Sequence, residues 1–307
     1  IQFYNESSVQ VAKSALNLIK RIQRVFPIST LNFYFIQLHQ FPKTFDQIPS
    51  KEEQVEYIKI LSYLISAAGS FAYSTCNELM DFLLDVLNKK MYLKPLSLFQ
   101  TILELDNIRF YRKIRVEAMH CISNLASCNA ECNIETLDKV VNVLVDQLLL
   151  INNQKVQIAA AQTLRVLFRV YPLVKRLDSK GIVKIHQSLF NFIKNSSNSI
   201  TLSHSHEFYA ELLKLFGTIG SLDPYEFHTF HTHTETEDMY PLYDRAKREQ
   251  SYLNFVMKYI LGQLKDNSKT HDLFVLINAL VYIIQSDASK CYDYLEEVVS
   301  VFTTILD

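Results

Sequence analysis

Apolar residues recur at three- and four-residue spacing in six separate stretches of this chain, around residues 9–22, 57–65, 116–125, 156–167, 212–219 and 275–284. That spacing follows the 3.6-residue turn of an α-helix, so each stretch predicts a helix with one apolar face. Turn chemistry is scarce, with five glycines and seven prolines in 307 residues. Sandwiches, barrels and most α/β folds need glycine at many of their loops, and the chain is therefore expected to be all-α. Its 49% of apolar residues is enough for a large core.

Five of these stretches are followed by a second helical pattern, at residues 77–87, 137–149, 182–192, 252–264 and 292–305. A helix and its companion make a hairpin, and successive hairpins are spaced roughly 40 to 65 residues apart, against ~40 to 47 for HEAT-type pairs. The pattern predicts one continuous α-solenoid of stacked HEAT-like helical hairpins over residues 1–307. In such an array one hairpin cannot bury its own apolar face, so its neighbours must cover it. Two long connections are expected, at 27–50, which carries Pro42 and Pro49, and at 226–250, which is polar and histidine-rich. Ser50 with Glu53 and Thr75 with Glu78 match the capping box at a helix start. Phe26-Pro27 and Tyr171-Pro172 mark expected stops.

Formal charge is -1, which gives no general attraction to nucleic acid or to an anionic membrane, and protein partners are expected instead. The longest apolar run, 273–284, suits a buried helix and is too short to span a bilayer, so the chain reads as soluble. The five cysteines form no framework of a small secreted domain and suit a reducing cytosol. The chain starts with isoleucine and still reads as helix at 301–306, the pattern of a piece from a longer polypeptide.

Candidate chemistry is sparse. His204 and His206, then His228, His231 and His233 with Glu235, Glu237 and Asp238, offer imidazoles and carboxylates that suit zinc. They lie in low-complexity polar sequence that lacks a rigid supporting shell, so His228, His231 and His233 stand as the metal candidates while no metal or cofactor is expected. Cys121, Cys128 and Cys132 do not have zinc-ribbon spacing and read as buried thiols. The basic stretch RFYRKIR at 109–115 reads as a solvated helix start, because a single basic turn lacks the continuous stripe that nucleic acid requires. No Walker loop, G-x-G-x-x-G turn, His-Arg-Asp loop or nucleophile motif occurs, and the segment is expected to be catalytically silent.

The most distinctive stretch is ELLKLFGTIGSLDPY at 211–225. Leu212, Leu215, Phe216 and Ile219 make an apolar face, Gly217 suits a close helix approach, Gly220 suits the left-handed end of a helix, and Asp223-Pro224 suits the start of the next. This corner resembles that of the helical-repeat region of TOR kinases, through Gly217, Gly220, Leu222, Asp223, Pro224 and Tyr225. The resemblance extends over 182–307 through IHQSLFNFIK, YLNFVMKYILGQLKD, FVLINALVYIIQS and YLEEVVSVFTTILD. The chain departs from the pattern in SHSHEFYAE before the corner helix and in Tyr252-Leu253.

The resemblance implies a non-catalytic scaffold segment of a serine/threonine kinase of the phosphatidylinositol-3-kinase-related family, with the kinase domain beyond residue 307. It also implies nutrient and growth signalling, Raptor-type or Rictor-type subunits as partners, a possible homodimer of the parent, and a cytoplasmic complex that can associate with endomembranes. The alternative is a stand-alone HEAT adaptor of the transport or phosphatase-scaffold kind. An enzyme built on the histidine loop is the remaining class.

Overall fold

The computed structural model describes residues 6–88, 98–128, 132–148, 153–170, 205–222, 252–266, 273–286, 288 and 291–306. Every described element is helical, and no strand occurs among the described residues, so the fold is all-α. The contacts divide the chain into two compact units, Ile1–Val166 and Leu167–Asp307.

The first unit holds α1 (Glu6–Ile22), α2 (Pro27–Phe45), α3 (Lys51–Ala68), α4 (Cys76–Asn88), α5 (Leu98–Ser127), α6 (Ile134–Leu148) and the body of α7 (Gln154–Val170). Helix α1 packs on α3 and α3 on α5, while α2 packs on α4 and α4 on α6. These are two layers of stacked helical hairpins, the construction of an α-solenoid. The first, second, third and fourth amphipathic stretches fall in α1, α3, α5 and α7, and α7 ends at Val170, just before Tyr171-Pro172.

Residues 27–45 are not the expected loop. Pro27 occupies the first helical turn, where a missing N–H costs nothing, and Thr30 donates to the carbonyls of Phe26 and Pro27 at 2.9 Å each. The helix then runs through Pro42 to Phe45. A proline inside a helix removes one backbone bond, but Tyr34, Leu38, Phe41 and Phe45 lie at helical spacing and are all buried. Phe41 stacks on Tyr57 of α3 with ring centroids 3.8 Å apart, and Tyr57 donates to Thr44 Oγ1 at 2.8 Å. Tertiary burial overrides the local signal, and α2 is the companion that the first stretch lacked.

The two expected capping boxes behave differently. Ser50 accepts from the Glu53 N–H at 3.2 Å and starts α3 as a side-chain cap. Thr75 does not cap α4, because α3 passes through a 3-10 segment, Gly69–Thr75, directly into α4. Its hydroxyl donates to the Ala72 carbonyl, and Glu78 lies 2.7 Å from His39 Nδ1 of α2. Gly69 makes the bend possible. Its φ of 57° and ψ of -130° are accessible to glycine and strained for other residues.

Helix α5 is joined to α3 by a row of side-chain donors. Cys121 Sγ donates to the Ile58 carbonyl at 3.4 Å, Asn124 Nδ2 to the Ser62 carbonyl at 3.2 Å and to Ser62 Oγ at 2.8 Å, and Cys128 Sγ to the Ile65 carbonyl at 3.7 Å. Residue numbers rise together on both helices, so α3 and α5 run parallel. A helical carbonyl has a second lone pair beyond its own backbone bond, and this ladder uses it. On the other side of α5, Thr163 of α7 donates to the Met119 carbonyl at 3.2 Å and accepts from Ser123 at 3.1 Å.

The second unit contains α8 (Ser205–Leu222), α9 (Tyr252–Asp266), α10 (Leu273–Ser286) and α11 (Leu295–Leu306). Helix α8 packs on α9 and α10, and α9 packs on α10 and α11. Leu212, Leu213 and Leu215 of α8, Val256, Met257 and Ile260 of α9, and Leu276, Leu280 and Ile283 of α10 form its core. The fifth and sixth stretches and the companions at 252–264 and 292–305 are therefore helical; the companion at 182–192 and the connection at 226–250 lie outside the described residues.

The ladder predicts a measurable register term. Asn124→Ala removes the donor to Ser62 and is expected to cost about 1–2 kcal/mol in urea unfolding of the chain. Asn142→Ala, on the exposed side of α6, is expected to leave the transition within about 0.5 kcal/mol of the parent.

Candidate functional site

The residues singled out in the sequence do not assemble into a catalytic constellation among the described residues. Asp223, Pro224, Tyr225, His204, His228, His231 and His233 lie outside the described residues, and His206 stands in the first turn of α8. Among the described residues no three histidine, cysteine or acidic side chains are grouped to hold a metal ion.

The cysteines are placed one by one. Cys121 is fully buried, and burial pushes its thiol well above the usual range. Cys128 and Cys132 are only half-buried, a correction to the expectation of three buried thiols. Their sulfurs are occupied by carbonyl acceptors, Ile65 for Cys128 and Asn77 Oδ1 for Cys132, which holds them near the surface.

The basic stretch at 109–115 lies inside α5 and not at its start. The helix begins at Leu98, so the sequence pattern caught only its second half. Within it Ile114 is buried, Arg109, Arg112 and Lys113 are exposed, and Tyr111 receives Lys51 Nζ 5.3 Å from its ring centroid. Burial lowers the Arg115 guanidinium from its ordinary value. One face of a long helix presents these charges, without the continuous basic track that a phosphate backbone needs.

Two surface features in the first unit suit protein contacts. The outer side of the α1–α2 hairpin exposes large apolar groups, including Val11 at 68%, Phe26 at 60%, Ile28 at 74% and Phe35 at 46%. Apolar area of this kind is uncommon on a surface that meets only water. Beside it, α1, α3 and α5 enclose an open groove of about 480 Å³, with Glu56, Lys59, Glu117 and His120 along its walls. Lys59 lies 2.8 Å from Glu56 and His120 lies 3.4 Å from Glu117. The sequence reading missed both features, since it followed the buried face of each helix. The i, i+3 pairs Glu56/Lys59 and Glu117/His120 were the available signal.

In the second unit the corner helix is the best-defined feature. Gly217 is buried, and a Cβ built on it would lie 2.7 Å from Ile283 Cδ1 of α10 and closer still to Ile283 Cγ1, nearer than real Cβ atoms come. Helices α8 and α10 thus meet at a point where only a hydrogen fits without displacement. Thr218 beside it is also buried and donates to the Lys214 carbonyl at 2.8 Å. The buried carboxylate of Glu211 pairs with Lys214 Nζ at 2.8 Å. Gly220 does not end the helix: α8 continues through it to Leu222. Glycine tolerates the right-handed helical conformation as well as the left-handed one, and the proline at 224 is the stronger stop signal.

With the corner and its packing in place, the sequence of this region can be set beside known families. Residues 184–307 match the family model described as the serine/threonine-protein kinase mTOR domain. This part of the chain is similar to the mTOR domain. Comparisons with curated proteins and with solved structures give no match. The likeness carried by the corner is therefore shown, from residue 184 where the sequence reading placed its start at Ile182. The mTOR HEAT-type domain is non-catalytic, and α8 to α11 all lie within the matched residues. No helix among the described residues is long and apolar enough to cross a membrane.

The close approach between α8 and α10 generates a double-mutant test. Gly217→Ala is expected to cost about 1–3 kcal/mol in urea or thermal unfolding, and Gly217→Leu more, because Ile283 must move. With Ile283→Ala already present, Gly217→Ala is expected to cost little, so the cycle gives a clear non-additivity.

Proposed function

We propose that this chain is a non-catalytic HEAT-repeat scaffold segment of a TOR-like serine/threonine protein kinase and mediates complex assembly in nutrient and growth signalling. The observation that carries the reading is the mTOR-domain match over residues 184–307 in a chain whose described elements are all helical. The mechanism is one of shape. Hairpins hold one another rigid, and the faces they leave outward dock other proteins. The exposed apolar side of α1–α2 and the mixed-charge groove between α1, α3 and α5 are the docking surfaces on the first unit.

Raptor-type or Rictor-type subunits and a second copy of the parent kinase are the partners of this reading, in a cytoplasmic complex that associates with endomembranes. Phosphoryl transfer belongs to a kinase domain elsewhere in the parent. The corner residues Gly217, Gly220, Leu222, Asp223, Pro224 and Tyr225 serve as structural elements of the mTOR domain.

The test is capture of the native protein with an antibody raised against this chain. The expected result is a polypeptide many times the 35.7 kDa of the chain, with serine/threonine kinase activity and Raptor- or Rictor-type subunits in stoichiometric amounts. A captured polypeptide close to 35.7 kDa without kinase activity would instead identify a stand-alone adaptor.

A further inference from the structure

Helix α2 carries Phe35, His39 and Lys43 at four-residue spacing, so the three side chains share one face. Helix α4 packs on α2 and brings Glu78, in its first turn, to the same place. Glu78 Oε2 lies 2.7 Å from His39 Nδ1, and Lys43 Nζ lies 2.7 Å from His39 Nε2. The imidazole is therefore held at both nitrogens. Phe35 fixes its plane as well, with the two rings parallel to within 1° and their centroids 6.1 Å apart. Lys43 reaches this position because α2 runs on through Pro42.

These contacts fix the protons. An ammonium has donors and no acceptor, so His39 Nε2 accepts from Lys43, while Nδ1 carries the ring proton and donates to the Glu78 carboxylate. A carboxylate, an imidazole and an amine thus stand in one chain of hydrogen bonds, the order in which a base activates a nucleophile. The carboxylate holds the tautomer and favours the imidazolium that forms when Nε2 takes a proton. Reagents can reach the group, since His39 is 45% and Glu78 39% exposed and Lys43 is exposed too. Lys139 shows the ordinary alternative. Its partner at 2.9 Å is the Glu135 carboxylate, which holds the ammonium above its usual value.

We propose that Lys43 is an acylation site, modified by acyl thioesters with His39 as the base and Glu78 as the positioning residue. Lys43 enters as the ammonium, and one proton passes through His39 to water and leaves a neutral amine. The Nζ lone pair attacks the thioester carbonyl carbon, a C–N bond forms, and the carbonyl π electrons move to oxygen. His39 Nε2 takes a proton from Nζ. The carbonyl re-forms, the C–S bond breaks, and the departing thiolate takes that proton from the imidazolium. Ammonium and thioester give amide, thiol and one released proton. The amide removes a positive charge from the last turn of α2, where it faces the negative end of the helix, and it ends the ammonium's hydrogen bond to His39.

The experiment treats the whole 307-residue chain with S-acetyl-N-acetylcysteamine, a small neutral thioester, and follows each lysine by peptide mass spectrometry. Lys113, on the exposed side of α5, and Lys139 are the references within the same sample. Acetylation of Lys43 is expected to run about tenfold or more ahead of both. His39→Gln keeps a polar side chain without the base and is expected to bring Lys43 down to the rate of Lys113. Glu78→Leu is expected to lower the Lys43 rate and to mix the two ring tautomers of His39, read by nitrogen NMR, which a merely structural role would not do. The comparison within the parent chain needs no variant and decides the matter even where one fails to fold. Equal rates at Lys43 and Lys113 in the parent chain, or an undiminished Lys43 rate in His39→Gln, would overturn the proposal.

Discussion

Helix α3 must be covered on several sides at once, and the first unit depends on that requirement. Ile58, Leu61 and Ile65 are fully enclosed, and α1, α2 and α5 all pack against the helix. Burial of this kind is non-directional: it holds helices together without choosing how far one slides along another. The donors Cys121, Asn124 and Cys128 supply the missing direction, because each reaches a particular carbonyl of α3. Apolar contact provides adhesion, and the polar row sets register.

The second unit reaches a defined packing by a different route. No side-chain bulk separates α8 from α10 at Gly217, so Ile283 fits directly against the backbone of α8. Steric exclusion sets the position there, where hydrogen bonds set it between α3 and α5. The residues that match the mTOR domain include this contact. The expected close helix approach at Gly217 is the one found, against Ile283.

The parts of the fold that were legible in the sequence are those where burial is periodic. The stretches at 57–65, 156–167 and 275–284 each bury one face, and the 3.6-residue pattern records that directly. Residues 27–45 were misread because Pro27, Pro42 and Pro49 are local signals, while the burial of Tyr34, Leu38 and Phe45 is decided by α3 and α4. Thr75 was misread for a related reason: whether a threonine caps a helix depends on the backbone before it, and here a 3-10 segment enters without a break. The Asn77 contact was invisible, since Asn77 meets Asn133 only after two hairpins have stacked.

The row of donors between α3 and α5 also has a mechanical consequence. A force that slides one helix along the other loads the bonds at Ile58, Ser62 and Ile65 together, so they must fail at nearly the same moment. A force that lifts one end of α5 away from α3 loads them in turn, and each breaks alone. The joint between these hairpins therefore resists shear better than peeling, and the first unit bends open from an end more easily than it slips along its length.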